Sequence, residues 1–263
     1  MKNLIFNLPD KINKSDIFIS DPFCIFEINN VLDEKIYHYL KNEFPTEEKY
    51  FNTFNIGKKN YLNNESANFF KFINQNKNYL NLYKYLNKSE TFKIIYNLLK
   101  PEIIKINERK DLNKVFLVPF SNKFIIRAFK FFLSFFDIKV IKLGFEFSII
   151  KDDCFIPLHT DKMNKLISLM IYFPDDDFDQ KDWGTCFYKF KDNNNNEGLW
   201  DSKFMDENES SKYIDKIEKF YQSSFTKNKL VGFLKSNNSL HNIEKINKKN
   251  ALRKSININY YIQ

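Results

Sequence analysis

Apolar positions follow one rhythm in the first half of this chain and another in the second. Before residue 140 they recur every three or four positions. A short strand is expected at 21–28, followed by helices at 33–42, stopping ahead of Pro45, at 66–75, and from an N-cap at Ser89 through Leu99 to Pro101. Phe124, Ile125, Ala128, Phe129, Phe132, Leu133 and Phe136 keep the helical spacing, which predicts a helix packed into the core, ahead of one lying on a membrane surface.

After Lys139 the period becomes two. Residues 143–150 alternate around Phe145, Phe147 and Ile149, and 166–173 are apolar on both faces apart from Ser168. Further strands are expected at 185–190, 230–235 and 255–262. Residues 192–211, rich in Asn, Asp and Glu, predict a solvated excursion between strands, with a helix beside it at 215–225. A helical half followed by many short strands predicts an α+β fold, an antiparallel double sheet supported by helices. The chain, 1–263, reads as a single domain. Residues 1–140 form its mainly helical support and 141–263 its sheet core, with a polar insertion at about 192–225.

Composition narrows the class. With 263 residues, 43% of them hydrophobic, the chain can bury one large core or two small ones, and 30 Phe against 5 Gly predict an aromatic core with turns built on Asn and Asp. The net charge of +8 comes from Lys spread along the whole length, in a Lys-, Asn- and Ile-rich background that fits an AT-rich coding sequence. It forms no basic patch interleaved with aromatics on one element, so a nucleic-acid partner is not indicated. Cys24, Cys154 and Cys186 make an odd count without C-x-x-C spacing, which argues against a disulfide framework and a structural zinc site and fits a reducing, cytoplasmic setting. The N-terminal residues lack a signal-peptide apolar region, and no uncharged stretch reaches the ~18 residues of a membrane span.

The chemistry lies in three histidines. His38 sits in a helical stretch beside Tyr37, Tyr39 and Leu40, where a packing or surface role is expected. His159 opens His159-Thr160-Asp161, and His241 follows far downstream, beyond the strand expected at 230–235. Residues two apart on extended backbone point to the same side, so His159 and Asp161 can reach one ion. Two imidazoles and one carboxylate leave half of an octahedral metal open, the arrangement that non-haem Fe(II) uses for reactants. Arg253 and Ser255 likewise share a face of the last strand. A buried guanidinium near such a site calls for an anion, and the distal carboxylate of a 2-oxo diacid supplies one at about 1.5–3 kcal/mol per charge-assisted hydrogen bond.

An H-x-D spacing is common by chance; its weight comes from the series in which it stands. That series is Pro157-Leu158-His159-Thr160-Asp161-Lys162, the strand from Lys165 to Phe173, Trp183-Gly184-Thr185, Leu230-Val231-Gly232-Phe233 leading to Ser239-Leu240-His241, and Arg253-Lys254-Ser255-Ile256. In these residues the chain resembles the 2-oxoglutarate and Fe(II)-dependent dioxygenases, in particular their prolyl 4-hydroxylase-like branch, over about residues 145–261. The resemblance implies a double-stranded β-helix, or jelly roll, with flanking helices mostly from the N-terminal half. It implies His159, Asp161 and His241 as the catalytic iron ligands. Arg253 and Ser255 would hold the cosubstrate's C5 carboxylate, with Tyr172 lining the same pocket. The implied cofactors are Fe(II), 2-oxoglutarate, O2 and ascorbate, and the implied reaction is hydroxylation of a small-molecule or peptide substrate with release of succinate and CO2. Asp161 stands where the halogenase variant of the fold has a small residue, and Gly184 is single where many relatives have a Gly pair. Two other readings remain beside it: a jelly-roll binding module with a vestigial metal site, and a cupin-like metalloenzyme that does not use 2-oxoglutarate. Neither substrate identity nor oligomeric state is written in the sequence.

Overall fold

In a computed structural model of the chain, residues 16–55, 57–106, 115–118, 123–136, 138–175, 181–191 and 213–263 are described. Among them the α-helices of nine residues or more all lie before residue 139, interleaved with short strands. They are α1 (Glu34–Asn42), α2 (Ala67–Gln75), α3 (Lys77–Leu86), α4 (Ser89–Ile106) and α5 (Lys123–Ser134). The strands are β1 (Ile17–Ile19), β2 (Ile25–Ile28), β3 (Asn52–Thr53), β4 (Asn60–Asn63), β5 (Val115–Val118), β6 (Lys139–Lys151), β7 (Ile156–His159), β8 (Lys165–Tyr172), β9 (Cys186–Phe190), β10 (Ile217–Gln222), β11 (Leu230–Leu234), β12 (Leu240–Ile243) and β13 (Leu252–Ile262). None of the described helices is long and apolar enough to cross a membrane.

Two sheets result. The larger runs β1-β2-β11-β8-β13-β6-β4-β3, with β5 also paired to β6, and the smaller runs β10-β9-β12-β7. All pairings are antiparallel except that of β5 with β6. The long β13 lies between β8 and β6 and keeps register with β6 from Leu252 opposite Lys151 to Ile262 opposite Ile141.

Period-two patterning assigns the two faces of the large sheet. Phe145 and Phe147 of β6, Leu169 and Ile171 of β8, and Ile256, Ile258 and Tyr260 of β13 join one apolar cluster with Tyr37, Leu40, Phe69, Phe72, Tyr79 and Phe92 of the helices. Phe147 is its hub, meeting Phe44, Phe72 and Tyr79 edge-on at centroid distances of 5.5, 5.3 and 4.9 Å. The opposite face meets the small sheet through Phe23, Ile25, Ile150, Phe187, Phe225, Val231 and Phe233. Where the sheets part, the same face turns polar and lines a cavity.

Several expectations are corrected. The helix expected to end at Pro101 runs on to Ile106, because burial of Ile95, Leu99 and Ile103 outweighs the one backbone hydrogen bond that proline forfeits. Ser89 is not its cap: its Oγ accepts from the Leu117 amide of β5 at 3.2 Å. The helix expected at 215–225 is instead β10, whose ladder with β9 and whose Lys219 ion pair to Glu244 at 2.8 Å override the local pattern. Residues 192–212, most of the polar insertion, lie outside the described residues. The helix over 123–134 forms, yet it is not packed into the core. Phe131, Phe132, Phe135 and Phe136 are exposed, and only one side touches the sheet. Helices α1 and α2 form close to the expected bounds, on caps at Asp33, accepting from the Lys35 and Ile36 amides, and at Ser66, accepting from the Phe69 amide.

Candidate metal centre

His159 closes β7 and His241 lies on β12, and the pairing of these strands sets the two residues directly opposite each other. Their rings stand 4.2 Å apart, centroid to centroid. Asp161, two residues beyond the end of β7, brings an Oδ2 to 4.0 Å from the His241 Nε2. One ligand atom from each of His159, Asp161 and His241 falls within 4.8 Å of the others, and all three residues are buried.

The protonation state of each donor is fixed by its surroundings. The Nδ1 of His159 is 2.8 Å from the Pro157 carbonyl, and that of His241 is 2.9 Å from the Ser239 carbonyl. A carbonyl only accepts, so Nδ1 carries the proton on both rings and Nε2 keeps its lone pair. Burial, with His241 adding to it, pushes His159 down to about 3, and burial likewise lowers His241, so both rings are neutral at pH 7. Burial alone would raise Asp161, but the Lys165 ammonium and the two histidines outweigh it and hold the carboxyl well below its ordinary range. Lys165 donates to Oδ1 at 2.6 Å and the Ser168 hydroxyl to Oδ2 at 3.0 Å. Two neutral imidazoles and an oriented carboxylate are a donor set suited to a divalent first-row metal.

The triad opens into a cavity of about 290 Å3. Every second residue of β13 faces it: Arg253, Ser255, Asn257, Asn259 and Tyr261. Arg253 and Ser255 are the most buried of these, each at 1% exposure. Arg253 is held on several sides. Its Nε donates to the Trp183 carbonyl at 2.6 Å, and its guanidinium carbon stacks 4.9 Å from the Tyr172 ring centroid and 5.2 Å from that of Phe225. Its Nη2 is buried without a hydrogen-bond partner, as is the Oγ of Ser148, which sits opposite Ser255 in the β6–β13 ladder. The Ser255 hydroxyl donates to Asn257 Oδ1 at 3.1 Å, so the buried guanidinium nitrogen and the Ser148 hydroxyl are the unpartnered groups that a carboxylate would satisfy.

All the sequence-predicted residues except one reach this cavity. Tyr172 does not line it. Its hydroxyl is bound by Thr185 Oγ1 at 2.9 Å and Ser223 Oγ at 3.0 Å, and its ring serves as the floor beneath Arg253. The single Gly184 has a definite cause: a Cβ there would meet the Ser223 carbonyl oxygen at 1.7 Å. Sequence reasoning missed Ser148, Lys165, Asn257, Asn259 and Tyr261, although the odd-numbered polar positions of β13 were a readable signal. It noted Ser168 only as the one polar residue in an apolar strand, which is the residue that holds Asp161. His38 lies apart on α1, exposed and 3.7 Å from Glu34.

No protein-family model and no curated protein matches this chain. Among solved structures it is similar to a prolyl-4-hydroxylase from Pseudomonas putida, at 10% identity and a TM-score of 0.48 over 97% of each chain. It is also similar to a Trichoplax adhaerens prolyl hydroxylase in complex with a hypoxia-inducible-factor peptide fragment, at 11% identity and a TM-score of 0.42 over 96% of this chain and 86% of that one. A third is the epimerase SnoN in complex with Fe3+, alpha-ketoglutarate and nogalamycin RO, at 10% identity and a TM-score of 0.47 over 97% and 82%. At such distances, what the chain does must be read from its own side chains.

Proposed function

We propose that this chain is an Fe(II) and 2-oxoglutarate-dependent oxygenase of the prolyl 4-hydroxylase-like kind, hydroxylating a small-molecule or peptide substrate within a double-stranded β-helix. The observation that carries the reading is a juxtaposition. His159, Asp161, His241 and Arg253, whose Nη2 has no hydrogen-bond partner, all line one cavity. A metal triad alone fits many enzymes, and a buried arginine alone fits many cores. Together they fit a metal-chelating keto acid whose far carboxylate needs a guanidinium.

When bound, Fe(II) with 2-oxoglutarate and O2 supplies the oxidising chemistry, giving succinate, CO2 and a hydroxylated product. The protein's part is placement. His159 and His241 offer Nε2 lone pairs, Asp161 offers a carboxylate steadied by Lys165 and Ser168, and Arg253 with Ser255 takes the C5 carboxylate. Ser148 stands opposite Ser255, its unpartnered hydroxyl available to donate the remaining hydrogen bond. Phe233, its ring 4.6 Å from that of His241, and Met170 give the cavity an apolar side that keeps water from the metal. Phe54, Lys59, Tyr61, Asn259 and Tyr261 line the part of the cavity assigned to substrate.

Anaerobic titration with Fe(II) and then 2-oxoglutarate tests this directly. A visible metal-to-ligand charge-transfer band is expected, followed by succinate on admission of air. Metal binding with no band and no succinate would overturn the assignment, in favour of a cupin-like metalloenzyme or a vestigial site.

A further inference from the structure

The helix α5 and the two residues after it carry a row of aromatic side chains that the fold does not cover. Phe131 is 70% exposed, Phe132 60%, Phe135 71% and Phe136 55%, with Phe129 at 38%. Together they present roughly three whole phenylalanine side chains to the outside, on the order of 500 Å2, which is at the upper limit for soluble monomers. The helix is fixed by its other side. Phe129 stacks on Phe116 of β5 with centroids 5.9 Å apart, and Leu133 packs against Val118 and Val140. The ridge is thus held rigidly outward.

Charge says what would cover it. At 3.6 residues per turn, Arg127, Lys130 and Ser134 fall on one narrow edge of the helix, beside the ridge, and all three are exposed. Residues 112–136 contain four basic side chains and no Asp or Glu, with Asp111 and Asp137 at the two ends of the stretch. An apolar aromatic face flanked by cations, on a helix too short to span, is the pattern of a helix lying in the plane of an anionic lipid surface. A second copy of the chain fits less well. An antiparallel isologous pairing would bring Arg127 and Lys130 of both copies to one rim with no acid among the described residues of the patch to meet them. We propose that α5 docks the protein on anionic membrane surfaces, with the Phe131, Phe132, Phe135 and Phe136 rings entering the headgroup boundary and Arg127 and Lys130 contacting lipid phosphates.

Vesicle co-sedimentation of the full chain tests the proposal, using phosphatidylcholine alone and with about a third phosphatidylglycerol. The wild-type protein should pellet with the anionic vesicles and far less with the neutral ones. Phe131→Ser/Phe135→Ser and Arg127→Gln/Lys130→Gln should each weaken binding on the order of tenfold or more. Both pairs are exposed and outside the cavity, so the melting temperature and vesicle-free succinate formation should not change. Wild-type protein that stays in the supernatant, or a phenylalanine variant that pellets as well as the wild type, overturns the proposal. So does a dimer, seen by light scattering, that is lost with the phenylalanines while vesicle binding is absent.

Discussion

Lys165 donates to the Asp161 Oδ1 at 2.6 Å, leaving the other carboxylate oxygen directed at His241. The lysine thereby occupies Oδ1, while Oδ2, which accepts from the Ser168 hydroxyl at 3.0 Å, lies 4.0 Å from the His241 Nε2. Lys165→Met should weaken Fe(II) binding by roughly 10- to 100-fold, the usual effect of removing such a support. Asp161→Ala should abolish iron-dependent succinate formation with the fold intact by circular dichroism. A metal titration in which Lys165→Met matches the wild type would show that the ammonium merely neutralises an otherwise idle carboxylate.

Arg253→Lys keeps a positive charge but loses both the fork and the stack on Tyr172. The KM for 2-oxoglutarate should rise by about one to two orders of magnitude, matching about 1.5–3 kcal/mol for a lost charge-assisted hydrogen bond, while Fe(II) affinity stays the same. Steady-state kinetics with varied 2-oxoglutarate reads this out, and an unchanged KM contradicts it.

Gly184→Ala drives a methyl into the Ser223 carbonyl and displaces the segment whose Trp183 carbonyl holds the Arg253 Nε. The variant should lose about 2 kcal/mol or more of stability and also bind 2-oxoglutarate more weakly. Urea denaturation and the KM for 2-oxoglutarate should therefore worsen together.

Acid should destabilise the metal-free protein. The unfolded histidines take up protons near pH 6.5, whereas burial holds His159 down to about 3 and lowers His241 as well. Below about pH 6.5 the unfolded chain therefore binds more protons than the folded one, and stability falls as pH falls. Asp161 acts in the same direction lower down, since its unfolded carboxyl protonates first. The slope should approach about 1.4 kcal/mol per pH unit for each histidine. A His159→Asn/His241→Asn variant should show a flatter profile in urea titrations at successive pH values.

Lys229 and Glu27 form an ion pair at 2.8 Å with side chains 8% and 2% exposed, at the join between β2 and the start of β11. Lys229→Met strands a buried carboxylate and should cost about 3–5 kcal/mol, largely recovered in Glu27→Gln/Lys229→Met. Breaking the pair of Lys189 and Glu218, 43% and 49% exposed, should cost less than about 1 kcal/mol. Equal losses at the two sites in thermal melts would contradict this ranking.

The sequence made the metal triad and the Arg253 face legible because strand geometry is simple. An i, i+2 spacing on extended backbone dictates a common side without any knowledge of the partners. It hid what depends on distant pairing. Residues 217–222 carry a local pattern compatible with a helix and become a strand only because β9 offers them a ladder. Tyr172 stands on the cavity-facing parity of β8, and only the positions of Thr185 and Ser223 show that its hydroxyl is already engaged. The phenylalanines of α5 have a perfect helical period, and periodicity does not reveal whether a second layer exists to receive them.

The alternation along β13 works as a depth gauge. Its cavity-side positions descend in steps of two from Tyr261 and Asn259 at one end to Ser255 and Arg253 at the other, while Ile256, Ile258 and Tyr260 bind the reverse side to the helices. Mutations near the Tyr261 end can retune what enters without disturbing the anchor at the Arg253 end. A one-residue deletion near the C-terminal end of the strand would trade the two sets over the rest of it, sending isoleucines into the cavity and an arginine into the hydrocarbon interior.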